Sequence, residues 1–237
     1  ITTGNQNIAI GLNAMNGGTT TGDTNIAIGV SAGNALTSGN ENIFIGTDAG
    51  GTTTAGTHIV AIGRKAAQAN ITTDGSYSVF IGGFAGNQIT SGIGNVAIGY
   101  AALDAENDGD RNTAIGYQAL TNQTGTSGTV GNTALGYGAG DLITTGVQNV
   151  LLGSTTDPHA AGGSNQVVIG YNATGQGDDT VTLGNSSTTN FYLAPGNTSG
   201  QTINFNDAGA GGFIQYDHSD DQMKLAVANT INVRLYN

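Results

Sequence analysis

One short motif recurs so often that it dictates the architecture of the whole chain. Its form is Asn-(Ile/Val/Thr)-x-(Ile/Leu)-Gly, with an Ala three residues after the Gly, first seen as Asn7-Ile8-Ala9-Ile10-Gly11 followed by Ala14. The terminal glycines are Gly11, Gly29, Gly46, Gly63, Gly82, Gly99, Gly116, Gly136, Gly153, Gly170 and Gly184, most of them 17 residues apart. A fixed period of this length means stacked units, each too small to bury its own apolar face alone.

Each copy contains a strand of period two, so Ile8 and Ile10 point one way and Ala9 the other. The Ile side recurs as Ile26/Ile28, Ile43/Ile45, Val79/Ile81 and Val96/Ile98, and reads as a stacked β-branched core. The opposite column holds Ala9, Ala27, Ala61, Ala97, Ala114 and Ala134, with Phe44, Phe80 and Leu151 as larger members. Small side chains permit close approach, so this column is expected to face the axis of a homotrimer. The leading Asn (Asn7, Asn25, Asn42, Asn95, Asn112, Asn132, Asn149) is suited to bond backbone at a corner and to stack on its equivalents. The Ala after each Gly is read as opening a second short strand, and a linker such as Leu36–Gly39, Ile89–Gly92 or Ile143–Gly146 closes the coil. The expected fold is therefore all-β: a parallel β-roll or β-helix solenoid of about eleven short coils.

Composition agrees with a thin solenoid rather than a thick globule. Gly accounts for 41 of 237 residues, charged residues for 9%, aromatic residues for 6%, and there is no Trp. Gly does not fall at every third position, which excludes collagen. The absence of Cys removes disulfide scaffolds, thiolate metal sites and thiol nucleophiles. Five basic residues against 16 acidic ones leave little to bind phosphate backbones, so nucleic acid is not an expected partner. No apolar run approaches the ~20 residues of a membrane span, and membrane insertion is not expected.

The Asn-x-Ala-Ile-Gly-x-x-Ala repeat resembles that of the YadA-type head domains of trimeric autotransporter adhesins, and it also occurs in phage tail fibres. The resemblance covers about residues 5–187. It implies left-handed parallel β-rolls associated as trimers. Departures are Ile59 and Ser78 in place of the leading Asn, Thr156 in place of the Ala, and a 17-residue period longer than the compact 14-residue form.

The repeat stops after Ser187. Residues 188–212 read as an Asn/Thr/Ser/Gly-rich transition, and 213–237 as a small C-terminal tip with strands at Phe213–Tyr216, Met223–Val227 and Ile231–Leu235. Gly212–His218 resembles tail-fibre segments that precede a self-removing trimerisation chaperone. The chain opens within a linker, so further residues are expected before Ile1 and after Asn237.

Three groups of residues invite a chemical reading. Asp104, Glu106, Asp108 and Asp110 alternate as in a calcium loop, although Ile115 stands where the bidentate Glu should be. The plain alternative is a solvated acidic loop without a cofactor. Tyr100, Tyr117, Tyr137 and Tyr171 each follow a repeat Gly and so share one column, either a strip that stacks on receptor sugars or a packing ladder. His58, His159 and His218 are scattered without ligand spacing. The resulting expectation is a non-catalytic trimeric fibre or adhesin domain, extracellular, on a virion tail fibre or cell-surface appendage. Its partners would be its own copies and a surface glycan or protein receptor. The alternatives are a polysaccharide depolymerase on a trimeric β-helix and a purely structural spacer.

Overall fold

The computed structural model describes residues 4–72, 76–124 and 128–188, and the backbone of three strands further on. The chain divides into two compact units, Ile1–Ser187 and Thr188–Asn237. The first is an all-β solenoid built on one eleven-stranded parallel sheet, running from Ile8–Ile10 through Val96–Ile98 to Val181–Leu183. Equivalent residues lie in register from coil to coil, Ala9 beside Ala27 and Ala27 beside Phe44. The strands are short and β-branched, a composition that fits a pleated sheet.

In the second unit Gln201–Phe205, Gly212–Asp217 and Gln222–Val227 form an antiparallel sheet in that order. The stretch read as a transition thus supplies a strand, Gln201–Phe205. The strand expected at Ile231–Leu235 lies outside the described residues.

The Asn column holds the coils together. Asn42 accepts the Ile59 N–H at Oδ1 (3.0 Å), while its Nδ2 donates to Asn25 Oδ1 (3.0 Å) and to the Gly56 carbonyl (2.7 Å). Asn25, Asn95, Asn132 and Asn149 repeat the bond to a linker carbonyl 14 residues on. All five are fully buried, so these bonds form where water cannot replace them. Ser78 keeps half of the function, accepting the Asn95 N–H at 3.1 Å.

The orientation of the strands reverses the sequence expectation. Ala27, Phe44, Ala61, Phe80, Ala97, Ala114, Ala134 and Leu151 are completely buried inside their own chain, so they line the roll and not an axis between chains. Ala9, in the first coil, is exposed. The Ile and Val column, read as the core, faces outward and is half-buried or exposed. The reason is parity: the buried Asn and the Ala two residues later share a face. Linker side chains Leu36, Ile71, Ile89 and Ile143 complete the interior from the other side, together with Leu103 and Leu120.

The far side of each coil is a turn and not the expected second strand. Alternate residues there have positive φ, as at Asn13 (57°) and Met15 (49°), which an extended strand excludes. Coils still join there by single bonds such as Met15 N–H to the Ala32 carbonyl (3.0 Å). Side-chain volumes across the narrow interior are reciprocal. Phe44 fills the space beside Gly33 and Gly50, and Phe80 that beside Gly86, whereas Ala97 shares its coil with Leu103. A Cβ at Gly33 would stand 2.8 Å from the Phe44 ring.

Two substitutions test this core. Phe80→Ala should cost about 3–5 kcal/mol, since the glycine beside it cannot refill the void. Asn42→Ala should cost roughly 2–5 kcal/mol, because it strands the Ile59 N–H and the Gly56 carbonyl in a dry interior. Chemical denaturation of each variant measures both.

Candidate functional site

The turned-out strands leave one unusual surface. Two columns of largely apolar side chains, the second and fourth residues of each motif, run the length of the sheet, with Thr113 and Thr133 as polar members of the first. At its ends Ile10 is 58% and Val181 67% exposed. The columns lie on one flat face because register is kept from coil to coil. At about 4.8 Å per strand and about 10 Å of width, the stripe amounts to roughly 500 Å². Contiguous exposed apolar surface of that size marks an interaction site.

Each edge of the stripe carries its own column. The first rim is the residue before the motif Asn, held at positive φ in coil after coil: Glu41 (58°), His58 (58°), Tyr77 (43°) and Arg111 (60°). On it Glu41 Oε2 lies 3.1 Å from His58 Nε2, and the Tyr77 ring stacks on His58 at 4.6 Å. The second rim is the residue after each repeat Gly. Here Tyr100, Tyr117 and Tyr137 stack in succession, with centroids 5.2 and 5.3 Å apart. Phe84 meets Tyr100 edge-on and lies beneath the Arg64 guanidinium at 4.5 Å. Tyr171 stands apart from the ladder, since Ser154 takes the intervening coil.

The structure thus brings three of the four tyrosines together and spends most of their ring faces on one another. A sugar ring needs an open aromatic face, so the ladder offers receptor glycans chiefly its edges and its ends.

The acidic loop does not form the calcium geometry. Glu106 is fully buried, and its Oε1 accepts the N–H groups of Asn107 (2.9 Å), Asp108 (3.2 Å) and Gly109 (2.9 Å). Gln123 Nε2 donates to the other oxygen at 2.5 Å, and Gln123 Oε1 in turn accepts from Asn132 at 2.9 Å. Asp110 accepts the Ile93 N–H at 2.8 Å. With Glu106 turned inward and Asp110 committed to the neighbouring coil, Asp104 and Asp108 have no set to complete. Among the described residues no group of three or more His, Asp or Glu could hold a metal ion.

Two carboxyls stand out electrostatically. Burial pushes the Asp104 carboxyl above the usual carboxylate range, and its Oδ1 is buried without a partner. Asp157 is raised chiefly by burial and further by the Asp141 charge, against the Leu142 N–H, which stabilises its anion. Neither lies in the groove of 510 Å³ at the last coil, which is lined by side chains such as Thr174, Gln176 and Asn185 and contains no titratable group. His159 is paired with Gln166 at 2.9 Å and approaches Asp178 at 3.7 Å, an arrangement that ties two linkers together.

No family model, no curated protein and no solved structure matches this chain.

Asp104 supplies a pH test. Its folded pKa exceeds the unfolded value, so its contribution is most favourable when protonated and is lost as pH rises through the folded pKa. Asp104→Asn should therefore raise Tm at pH 7, and the gain should disappear as pH falls below the carboxylate range. Thermal scans of both proteins between pH 3 and 7 check it.

Proposed function

We propose that this chain is the rigid, non-catalytic repeat domain of a homotrimeric surface fibre, used to attach to a host or cell surface. The observation that carries the reading is the largely apolar stripe, which runs along the eleven-stranded sheet and is covered by none of the described residues. A surface so long, flat and regular fits a second copy of itself better than any compact ligand. The resemblance of the repeat to trimeric adhesin heads and tail fibres supports three copies around the stripe. Attachment would then be multivalent, with three sets of loops and rims presented at fixed spacing on a stiff rod.

Chemistry within the described residues agrees with a binding role. The buried carboxylate of Glu106 is consumed by backbone and Gln123, and Asp23, Asp110 and Asp178 each accept a backbone N–H from the preceding coil. These acids staple coils together. The extracellular setting and the receptor, a glycan or a protein, belong to the same proposal.

Adjacent residues give the test. Ile98→Glu places a charge on the outer stripe, and should yield a folded single chain with an unchanged β-sheet signal in circular dichroism. Ala97→Glu places the charge inside the roll beside Leu103 and should abolish folding, since no partner there can offset its desolvation. Light scattering should give three chain masses for the unaltered protein and one for Ile98→Glu. A folded monomer from the unaltered chain, or an Ile98→Glu variant that assembles as before, would overturn the proposal.

A further inference from the structure

The two rims of the stripe carry a pattern that a single chain does not explain. Every coil from the fifth to the eighth pairs one rim residue with another on the opposite edge, six residues later in all four. Tyr77 is accompanied by Gly83, and Gly94 by Tyr100. Arg111 is accompanied by Tyr117, and Gly131 by Tyr137. No coil carries an aromatic residue on both rims.

Glycine placement is the more telling part. The first rim has positive φ in coil after coil, so glycine would be favourable at each of these positions. It occurs at only two, Gly94 and Gly131, and these are coils whose second rim bears a tyrosine of the ladder. A Cβ at either glycine would meet nothing of its own chain closer than 3.8 Å. On the second rim Gly83 is the sole glycine, where a Cβ would reach ordinary contact with the Tyr100 ring of its own chain (3.4 Å), and its coil is the one that places Tyr77 on the first rim. Tyr77 itself is 63% exposed at φ 43°, an unfavourable backbone for a bulky residue, and its ring stacks on His58.

We propose that the first rim of one copy meets the second rim of the next, and that the reciprocal sizes on the two rims lock the copies parallel and in register. This rests on the trimeric reading above. A three-fold rotation about an axis parallel to the solenoid leaves height unchanged, so each coil meets the same coil of its neighbour, left edge to right edge. Tyr77 then enters the notch at the neighbour's Gly83, while Tyr100 and Tyr137 enter those at Gly94 and Gly131. Arg111 meets the exposed hydroxyl edge of the neighbour's Tyr117, whose two ring faces are taken by Tyr100 and Tyr137, and donates a hydrogen bond to the phenol oxygen. Sliding by one coil would set Tyr100 against Arg111, or against Tyr77, and lose the notch. A two-fold antiparallel contact would set each rim against itself and could not satisfy the four pairs together. The tyrosine ladder is in this account a seam between copies, with the receptor bound elsewhere.

The chain has no Cys, which permits a clean cross-linking test in the whole 237-residue chain. Arg111→Cys with Tyr117→Cys puts two exposed thiols on opposite edges of one strand, whose extended stretch of roughly 13 Å between residues 112 and 116 exceeds the ~7 Å limit for a disulfide. Across a seam they would meet. Mild oxidation should convert most of the double variant into a covalent species of three chain masses on a non-reducing gel, and Arg111→Cys alone should give none. The second pair, Tyr77→Cys with Gly83→Cys, should behave alike and guards against local failure of the first. Three chain masses by light scattering without cross-linking in either pair would overturn the seam while leaving the trimer intact. A folded monomer would overturn both. Cross-linked dimers from Arg111→Cys alone would show a rim meeting itself and would also refute the seam.

Discussion

The structure depends on a hydrogen bond made by a side chain with no net charge. Each coil has only a three- or four-residue strand in the sheet, too little to hold a stack in register on backbone bonds alone. The buried asparagines supply the rest, with Asn42 joining its own coil, the coil before it and the following linker, and Asn112 keeping the bonds to its neighbouring coils while its Nδ2 has no partner. Because these amides are dry, a missing partner is costly, and the cost recurs at every coil. A second ladder runs two residues upstream with the opposite polarity, where Asp23, Asn40, Asp110, Ser164 and Asp178 accept a backbone N–H from the preceding coil. The two ladders flank the positive-φ corners at Thr24, Glu41 and Arg111, and they offset the strain of placing these residues there.

Register of this kind explains why the period and the β architecture were legible in the sequence. Gly spacing gives the coil, and the recurrent Asn gives its corner. Which side of the strand faces inward was misread, because Ile and Val outrank Ala in apolar area and seem the natural core. The decisive signal was present in two places. Asn and the Ala two residues on must share a face, and an Asn conserved in position along the repeat is best explained by burial. The two phenylalanines of the Ala column also answer glycines six residues later, Phe44 beside Gly50 and Phe80 beside Gly86. Such reciprocity requires the two columns to touch. The second strand of the coil was misplaced for a different reason, since nothing in residues such as Asn13 or Met15 announces a left-handed backbone.

The same reasoning separates what could be known about the candidate site. The tyrosine column followed directly from its position after the repeat Gly, and its stacking is what equal spacing along a sheet produces. The acidic loop matches a calcium motif in the spacing of its acids alone. Placed in the repeat, Glu106 occupies the linker position of Leu36, Ile89 and Ile143, all of which are buried. Its burial, and the loss of a ligand with it, follows from the register. The apolar stripe was visible as a pattern, and only its direction makes it a surface.

Hydrogen exchange followed by NMR tests the central claim most directly. The N–H groups accepted by asparagine side chains, at Asn42, Ile59, Asn112, Asn132 and Asn149, should exchange only with global unfolding, as slowly as the strand N–H groups of Ile26 and Val96. The side-chain amide protons of Asn25 and Asn42 should share that protection. Exchange of these groups within minutes, while the strands remain protected, would show that the ladder is not what holds the coils together.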